Sequence, residues 1–297
     1  MINVSFFSYK GGAGRTTLTY NTMSYLIEKL KPTAKNPIIL IDLDIDSKGI
    51  SFLLDRTSAI NTIQVLRNEI EVDYCNPEEI SILKHPFFKS LAAVGSSFGL
   101  DEKEDGAVLF VSAKATNNDN SYLNNTNNFD AAGIGLNGLA ELCERYQCKA
   151  LVMDTPAGEQ LATDAAINIS DVIVTVLRIT KQFRQGTFEY LKARSKRYEG
   201  KKFIIVPNAV PRLGGGNGQI IENIFASMKS ILSTISNVNE INSDFINNQR
   251  KGINEVQLFK LNEVNLFIEK QSRELNLDEK EACEMYRELA EIITTNE

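Results

Sequence analysis

A chain of 297 residues, 43% hydrophobic and 24% charged, has material for a large core and is neither disordered nor fibrous in composition. It contains no run of about 18 apolar residues of the kind a transmembrane helix needs. Its opening Met1-Ile2-Asn3-Val4-Ser5-Phe6-Phe7 lacks the basic flank and cleavage site of a secretory signal. The net charge is −6, and the four cysteines (Cys75, Cys143, Cys148 and Cys283) follow neither zinc nor disulfide spacing, so they read as reduced thiols in a cytoplasm.

Apolar, β-branched runs alternate with amphipathic stretches. The runs Ile2–Ser8, Pro37–Leu43, Val108–Ser112, Ala150–Asp154, Asp171–Leu177 and Phe203–Pro207 read as strands. Most lack polar alternation, as strands covered on both faces do. Thr16–Leu30, with its stripe of Met23, Leu26, Ile27 and Leu30, reads as a helix, as do Ala132–Tyr146 and Thr187–Tyr198. This alternation predicts an α/β fold with a doubly wound, mostly parallel sheet flanked by helices. Residues 1–297 read as one domain, with a helical insertion at about 55–106 and a helical C-terminal segment at about 263–297. Thr116–Asn128, rich in asparagine, and Pro211–Gly218, with three consecutive glycines, read as surface loops. The single histidine, His85 beside Pro86, reads as a surface loop residue.

The strongest chemical signal is Lys10-Gly11-Gly12-Ala13-Gly14-Arg15-Thr16-Thr17, placed between an apolar strand and an amphipathic helix. Glycines let backbone amides converge on phosphate oxygens, and a helix N-terminus adds a favourable dipole. A hydroxyl at Thr16 suits Mg²⁺, and Thr17 reaches toward an α-phosphate. The run resembles the deviant Walker A motif K-G-G-x-G-K-S/T of the ParA/MinD family of P-loop NTPases (the SIMIBI type). It departs at one position, where Arg15 replaces the usual lysine, and in this it is similar to the KGGVGR-motif variants. The planar guanidinium keeps the charge but not the geometry of an ammonium. The resemblance implies that Lys10 is the signature lysine that crosses a dimer interface, and hence an ATP-sandwich homodimer.

Two further segments extend the resemblance. Asp42-Leu43-Asp44 closes the second strand and is similar to the family's D-x-D segment, which implies Asp42 in a Mg²⁺ shell and Asp44 beside the attacking water. Asp154-Thr155-Pro156-Ala157-Gly158 looks like the family's switch II, which implies a water-mediated contact from Asp154 to Mg²⁺ and an amide from Gly158 to the γ-phosphate. Asn208, after the sixth strand, corresponds to the family's adenine contact. The N-K-x-D run of a guanine reader is absent, so ATP is the expected nucleotide. The catalytic candidates are therefore Lys10, Asp44 and Arg15. The nucleotide candidates are Gly11 to Thr17 with Asn208 and Gly158, and the metal candidates are Thr16, Asp42 and Asp154.

Charge distribution addresses partners. Between Arg178 and Lys202 stand nine basic and two acidic residues, a local excess of +7 on an acidic chain. Arg178, Lys192, Lys196 and Arg197 are its candidates for non-specific DNA contact, with a solvated face as the alternative. From Gln271 to Glu297 eight acids outnumber three bases, which disfavours docking on anionic lipid but not a protein partner. The expected function is an ATP-switched dimer whose slow hydrolysis resets its binding to DNA or a partner protein. A non-hydrolysing nucleotide sensor in a multiprotein assembly is the alternative that Arg15 keeps open. A small-molecule ligase lacks a second motif here. An iron–sulfur electron donor lacks suitably placed cysteines, since Cys143 and Cys148 precede the fourth strand.

Overall fold

The computed structural model describes residues 1–70, 81–113, 129–194, 201–208, 256–258 and 277–295, with 223, 226 and 227. The expected loops at Thr116–Asn128 and Pro211–Gly218, and Lys196, Arg197 and Tyr198, lie outside them. In chain order the elements are β1 (Ile2–Phe7), α1 (Arg15–Leu30), β2 (Ile38–Asp42), α2 (Gly49–Leu54), α3 (Thr62–Leu66), α4 (Pro86–Ser90), β3 (Ala92–Ala93) and β4 (Val108–Val111). They continue with α5 (Phe129–Arg145), β5 (Ala150–Asp154), α6 (Leu161–Ile169), β6 (Val172–Arg178), α7 (Lys181–Arg194), β7 (Lys202–Asn208), β8 (Val256–Leu258) and α8 (Leu277–Thr294).

The strands form one sheet in the order β3-β4-β2-β5-β1-β6-β7-β8, parallel throughout except for the short edge strand β3. β1 lies between β5 and β6. The chain leaves it through α1 toward one edge and returns through β5 to build the other half. That reversal opens a crevice at the carboxyl end of β1, the place where such sheets take ligands.

Side-chain alternation explains the two covered faces. In β2, Ile38 and Leu40 join one core layer with Val4, Phe6, Leu18, Met23 and Leu26, whereas Ile39 and Ile41 join the opposite layer with Leu136, Leu139, Leu151 and Met153. Phe7, Ile173 and Ile205 pack with Phe188 and Leu191 of α7 on that second face. The fold is thus the α/β, doubly wound, mostly parallel sheet the sequence implies.

Two local features differ from the sequence reading, the edge strands and His85. β3 and β8 were not expected; with two and three residues, neither is long enough to carry a periodic signal. The insertion, read as helical, contains the short helices α3 and α4 and two 3₁₀ turns, Gly95–Phe98 and Glu102–Ala107. His85 is buried rather than on a surface loop: it caps α4, with its Nδ1 accepting from the Phe87 amide at 3.3 Å, and its ring packs edge-on against Phe88 and Tyr146.

The C-terminal helix α8 lies against α1. Tyr286, Leu289, Ala290 and Ile293 are buried there. Lys29 pairs with Glu291 at 3.1 Å, Arg287 with Glu28 at 3.6 Å, and the Asn21 side-chain amide donates to the Tyr286 hydroxyl at 3.3 Å. The apolar face of the acidic tail is therefore spent on the protein's own core. Among the described residues no helix is long and apolar enough to cross a membrane. Leu289→Ala is expected to lower the unfolding free energy by about 2–5 kcal/mol, as truncation of a fully buried leucine does. Urea denaturation checks this, and a loss within about 0.5 kcal/mol, the size of a surface substitution, would show that α8 is not docked on α1.

Candidate functional site

The loop between β1 and α1 is shaped by its glycines. Gly12 and Gly14 have φ of 77° and 90°, a region costly for residues with a Cβ. Gly14 is also the N-cap of α1, and no side chain caps that terminus. The first turn of α1 therefore presents its amides to a cleft of about 410 Å³. The cleft is lined by Ser8, the stretch Gly11 to Thr17, Asp44, Asp46, Ser47, Ala157 and Gln160.

Beneath the loop lies a buried ionic cluster. Arg15, the first residue of α1, turns its guanidinium inward. Its Nη2 donates to Asp44 Oδ2 at 2.7 Å and its Nε donates to Asp154 Oδ1 at 3.0 Å. Asp154 also accepts from the hydroxyls of Thr16 and Thr19, both at 2.9 Å. Asp42 and Asp154 face each other in register across β2 and β5. Asp42 is saturated differently, accepting from the Ser51 amide at 2.9 Å, the Ser51 hydroxyl at 2.8 Å and the Asp44 amide at 3.1 Å.

The charges respond to this arrangement. Burial opposes the charge of Arg15, but the fields of Asp154 and Asp44 outweigh it and hold the guanidinium protonated. Burial also works against the Asp44 carboxylate, yet the hydrogen bonds from Ser47 and the pairing with Arg15 bring it below the usual carboxylate range. Asp154 is raised by burial despite Arg15, Thr19 and Thr16. Asp42 is pushed up to about 7, first by burial and then by the neighbouring Asp154.

The expected site residues are brought together, with some in unexpected contacts. Thr16 lines the cleft and its hydroxyl touches Asp154, a pairing that fits Mg²⁺ held by Thr16, nucleotide phosphates and water, with Asp154 behind it. Among the described residues there is no cluster of three or more acidic, histidine or cysteine ligands that would hold a metal by itself. Asp42 fits only a place behind that shell, since its oxygens are already engaged by Ser51 and Asp44. Thr17 is exposed on the cleft wall. Lys10 is partly buried and makes no hydrogen bond or ion pair with the described residues. The Gly158 amide donates to the Ser8 carbonyl at 2.9 Å, so Ala157 takes its place on the cleft wall. The Asn208 amide donates to the Ala13 carbonyl at 2.8 Å.

The described residues of the basic stretch make separate contacts. Arg178, the last residue of β6, donates from Nε to the Gly12 carbonyl at 2.8 Å. Arg194 pairs with Glu159 at 2.9 Å and lies over the Tyr190 ring. Lys201 donates to the carbonyls of Asn168 and Ser170, and Lys202 to that of Ile292. Lys192 is exposed. Asp46, Ser47 and Gln160 were not singled out in the sequence. Their signal was only positional, just beyond the D-x-D and the Asp-Thr-Pro segments.

No protein-family model and no curated protein matches the chain. Solved structures do match its fold. The MinC:MinD cell division complex of Aquifex aeolicus aligns with 100% of this chain and 97% of its own at TM-score 0.62 and 15% identity. An ATP complex of a McdA variant from Cyanothece covers 99% and 96% at TM-score 0.61 and 12% identity. A Borrelia burgdorferi B31 protein described as a plasmid partition protein, bound to AMPPNP, covers 96% of each chain at TM-score 0.58 and 13% identity. The chain has the fold these proteins share.

Asp42 generates a pH dependence whose sign is fixed. Its folded-state pKa of about 7 lies above the ordinary 3.8, so between those values the folded chain holds more protons than the unfolded one. Its contribution is fully present below the ordinary value and is lost as pH rises through about 7, with a limiting slope of about 1.4 kcal/mol per pH unit for one proton. Stability measured by denaturation is expected to fall between pH 5 and 7. Asp42→Asn should flatten that decline. An equal slope in the variant would assign the decline to another group.

Proposed function

We propose that the protein binds Mg-ATP in this cleft, pairs with a second copy around the nucleotide, and hydrolyses ATP slowly to switch its hold on a partner protein or on DNA. The observation that carries the reading is the glycine loop opening a helix N-terminus directly above the cluster of Arg15, Thr16, Asp44 and Asp154. The fold neighbours support it, since two of them hold ATP or AMPPNP. ATP rather than GTP is expected because the Asn208-Ala209-Val210-Pro211 run is not the N-K-x-D of a guanine reader.

In this reading the loop amides and Thr17 receive the phosphates, and Thr16, backed by Asp154 and Asp42, holds Mg²⁺. The ion, when bound, neutralises charge on the phosphate oxygens. Lys10 reaches the phosphates bound by the second copy. Asp44 orients the attacking water, and to do so it must be released from Arg15, because a carboxylate paired at 2.7 Å with a guanidinium is a poor proton acceptor. A triphosphate in the cleft offers Arg15 a competing set of anionic oxygens. Nucleotide binding and release of Asp44 are thereby coupled.

The same contact favours a second reading. If Arg15 stays with Asp44 when nucleotide is bound, the protein is a sensor that binds without turnover. Phosphate release separates the two: a wild-type rate above that of Asp44→Ala supports hydrolysis, and equal rates support the sensor. As for DNA, the exposed Arg178 and Lys192 remain candidates, together with Lys196 and Arg197, with the Nε of Arg178 also serving the loop.

Lys10 gives the sharpest test of the paired state. Lys10→Ala is expected to retain nucleotide binding within a few-fold, since an exposed or partly exposed charge contributes only about 0–1 kcal/mol locally, and to lose nucleotide-dependent dimerisation. Light scattering with a slowly hydrolysed ATP analogue reads this directly. A Lys10→Ala protein that dimerises as wild type does would remove the sandwich from the reading.

A further inference from the structure

A phosphate cradle has two sides. Its amides turn inward to the ligand, so its carbonyls turn outward and need donors of their own. Here two successive carbonyls receive them from neighbouring strands. Arg178 Nε donates to the carbonyl of Gly12 at 2.8 Å, and Asn208 Nδ2 donates to that of Ala13 at 2.8 Å. The two donors are direct register partners, Arg178 at the last position of β6 and Asn208 at the last position of β7. The parallel pairing of those strands thus sets two side chains next to each other, against two adjacent peptide units of the loop.

The fit is tight at Gly14. A Cβ there would lie 2.2 Å from Asn208 Nδ2, so the side-chain amide occupies the space this glycine leaves free. Gly12, by contrast, has nothing within 4 Å of a Cβ and is open on its far side. The loop is therefore gripped from the side of β6 and β7.

We infer that Arg178 and Asn208 form a clamp that preshapes the phosphate loop in the ligand-free protein, with both acting as positioning residues and Asn208 holding the loop rather than reading the base. The inference rests on the nucleotide reading of the cleft for its ligand, but on the contacts alone for its mechanism. A preorganised loop binds phosphate without first ordering its own backbone. The clamp has a chemical corollary. It acts on the phosphate part of any ligand and is indifferent to the base attached to it.

That corollary supplies the test. Asn208→Asp keeps the shape of the side chain and removes the donor. Arg178→Met removes the donor of the other half, and Arg178→Lys restores one. Amide hydrogen exchange of Gly12 to Arg15 in the ligand-free protein is expected to accelerate roughly tenfold in Asn208→Asp and in Arg178→Met, with partial recovery in Arg178→Lys. Calorimetry should show ATP and inorganic tripolyphosphate weakened by the same factor, again roughly tenfold. Unchanged exchange in both variants overturns the clamp. An Asn208→Asp protein that loses ATP affinity but keeps that for tripolyphosphate overturns it too, and returns Asn208 to the base. A wild-type protein that binds neither ligand sinks the nucleotide reading, while the exchange experiment still judges the clamp by itself.

Discussion

The buried guanidinium of Arg15 is the interaction on which the rest of the site depends. It joins the start of α1 to the segment after β2 and to the end of β5, three pieces separated by tens to more than a hundred residues. Two carboxylates and one arginine withdrawn from water are stable only as a set, because removing one partner of a buried pair leaves an unpaired charge, at a cost of about 3–5 kcal/mol. The hydroxyls of Thr16 and Thr19 add two further donors to Asp154. Electrostatics here therefore fixes geometry as much as it supplies stability.

The position of this ion cluster also divides labour among the acids. Asp44 touches the cleft and stays ionised, whereas Asp42 sits deeper and is neutralised at moderate pH. Two aspartates two positions apart acquire different chemistry because one ends the buried strand β2 and the other turns toward the guanidinium. An arginine suits this bridging better than a lysine would, since its planar fork donates along two directions at once.

The layered α/β architecture was readable from the sequence because its strands are continuous apolar runs. Ala150–Asp154 has the bounds expected, and Pro37–Leu43 shrinks only by its ends. The glycine loop was equally readable, being local in sequence. What was not readable depends on long-range pairing. Nothing near Arg15 says that its side chain turns to Asp154, 139 residues away, rather than outward. Arg178 looked like the first member of a basic stretch, and only the sheet register sets it against Gly12. His85 is an opposite case, a polar residue in an irregular segment whose burial comes from an aromatic cluster assembled from α4 and Tyr146.

The seat of α8 on α1 links residues more than 260 positions apart, as the Lys29–Glu291 contact marks. Among the described residues, α8 covers part of the apolar surface of α1. On a ribosome adding about 5–20 residues per second, the helix that carries the phosphate loop waits on the order of 10–50 s for this cover. Throughout that interval the part of α1 that α8 covers is open to water and to other nascent chains. The dependence on so remote a contact makes the domain a late closer, with the cover of its first helix deferred until Leu277–Thr294 has emerged.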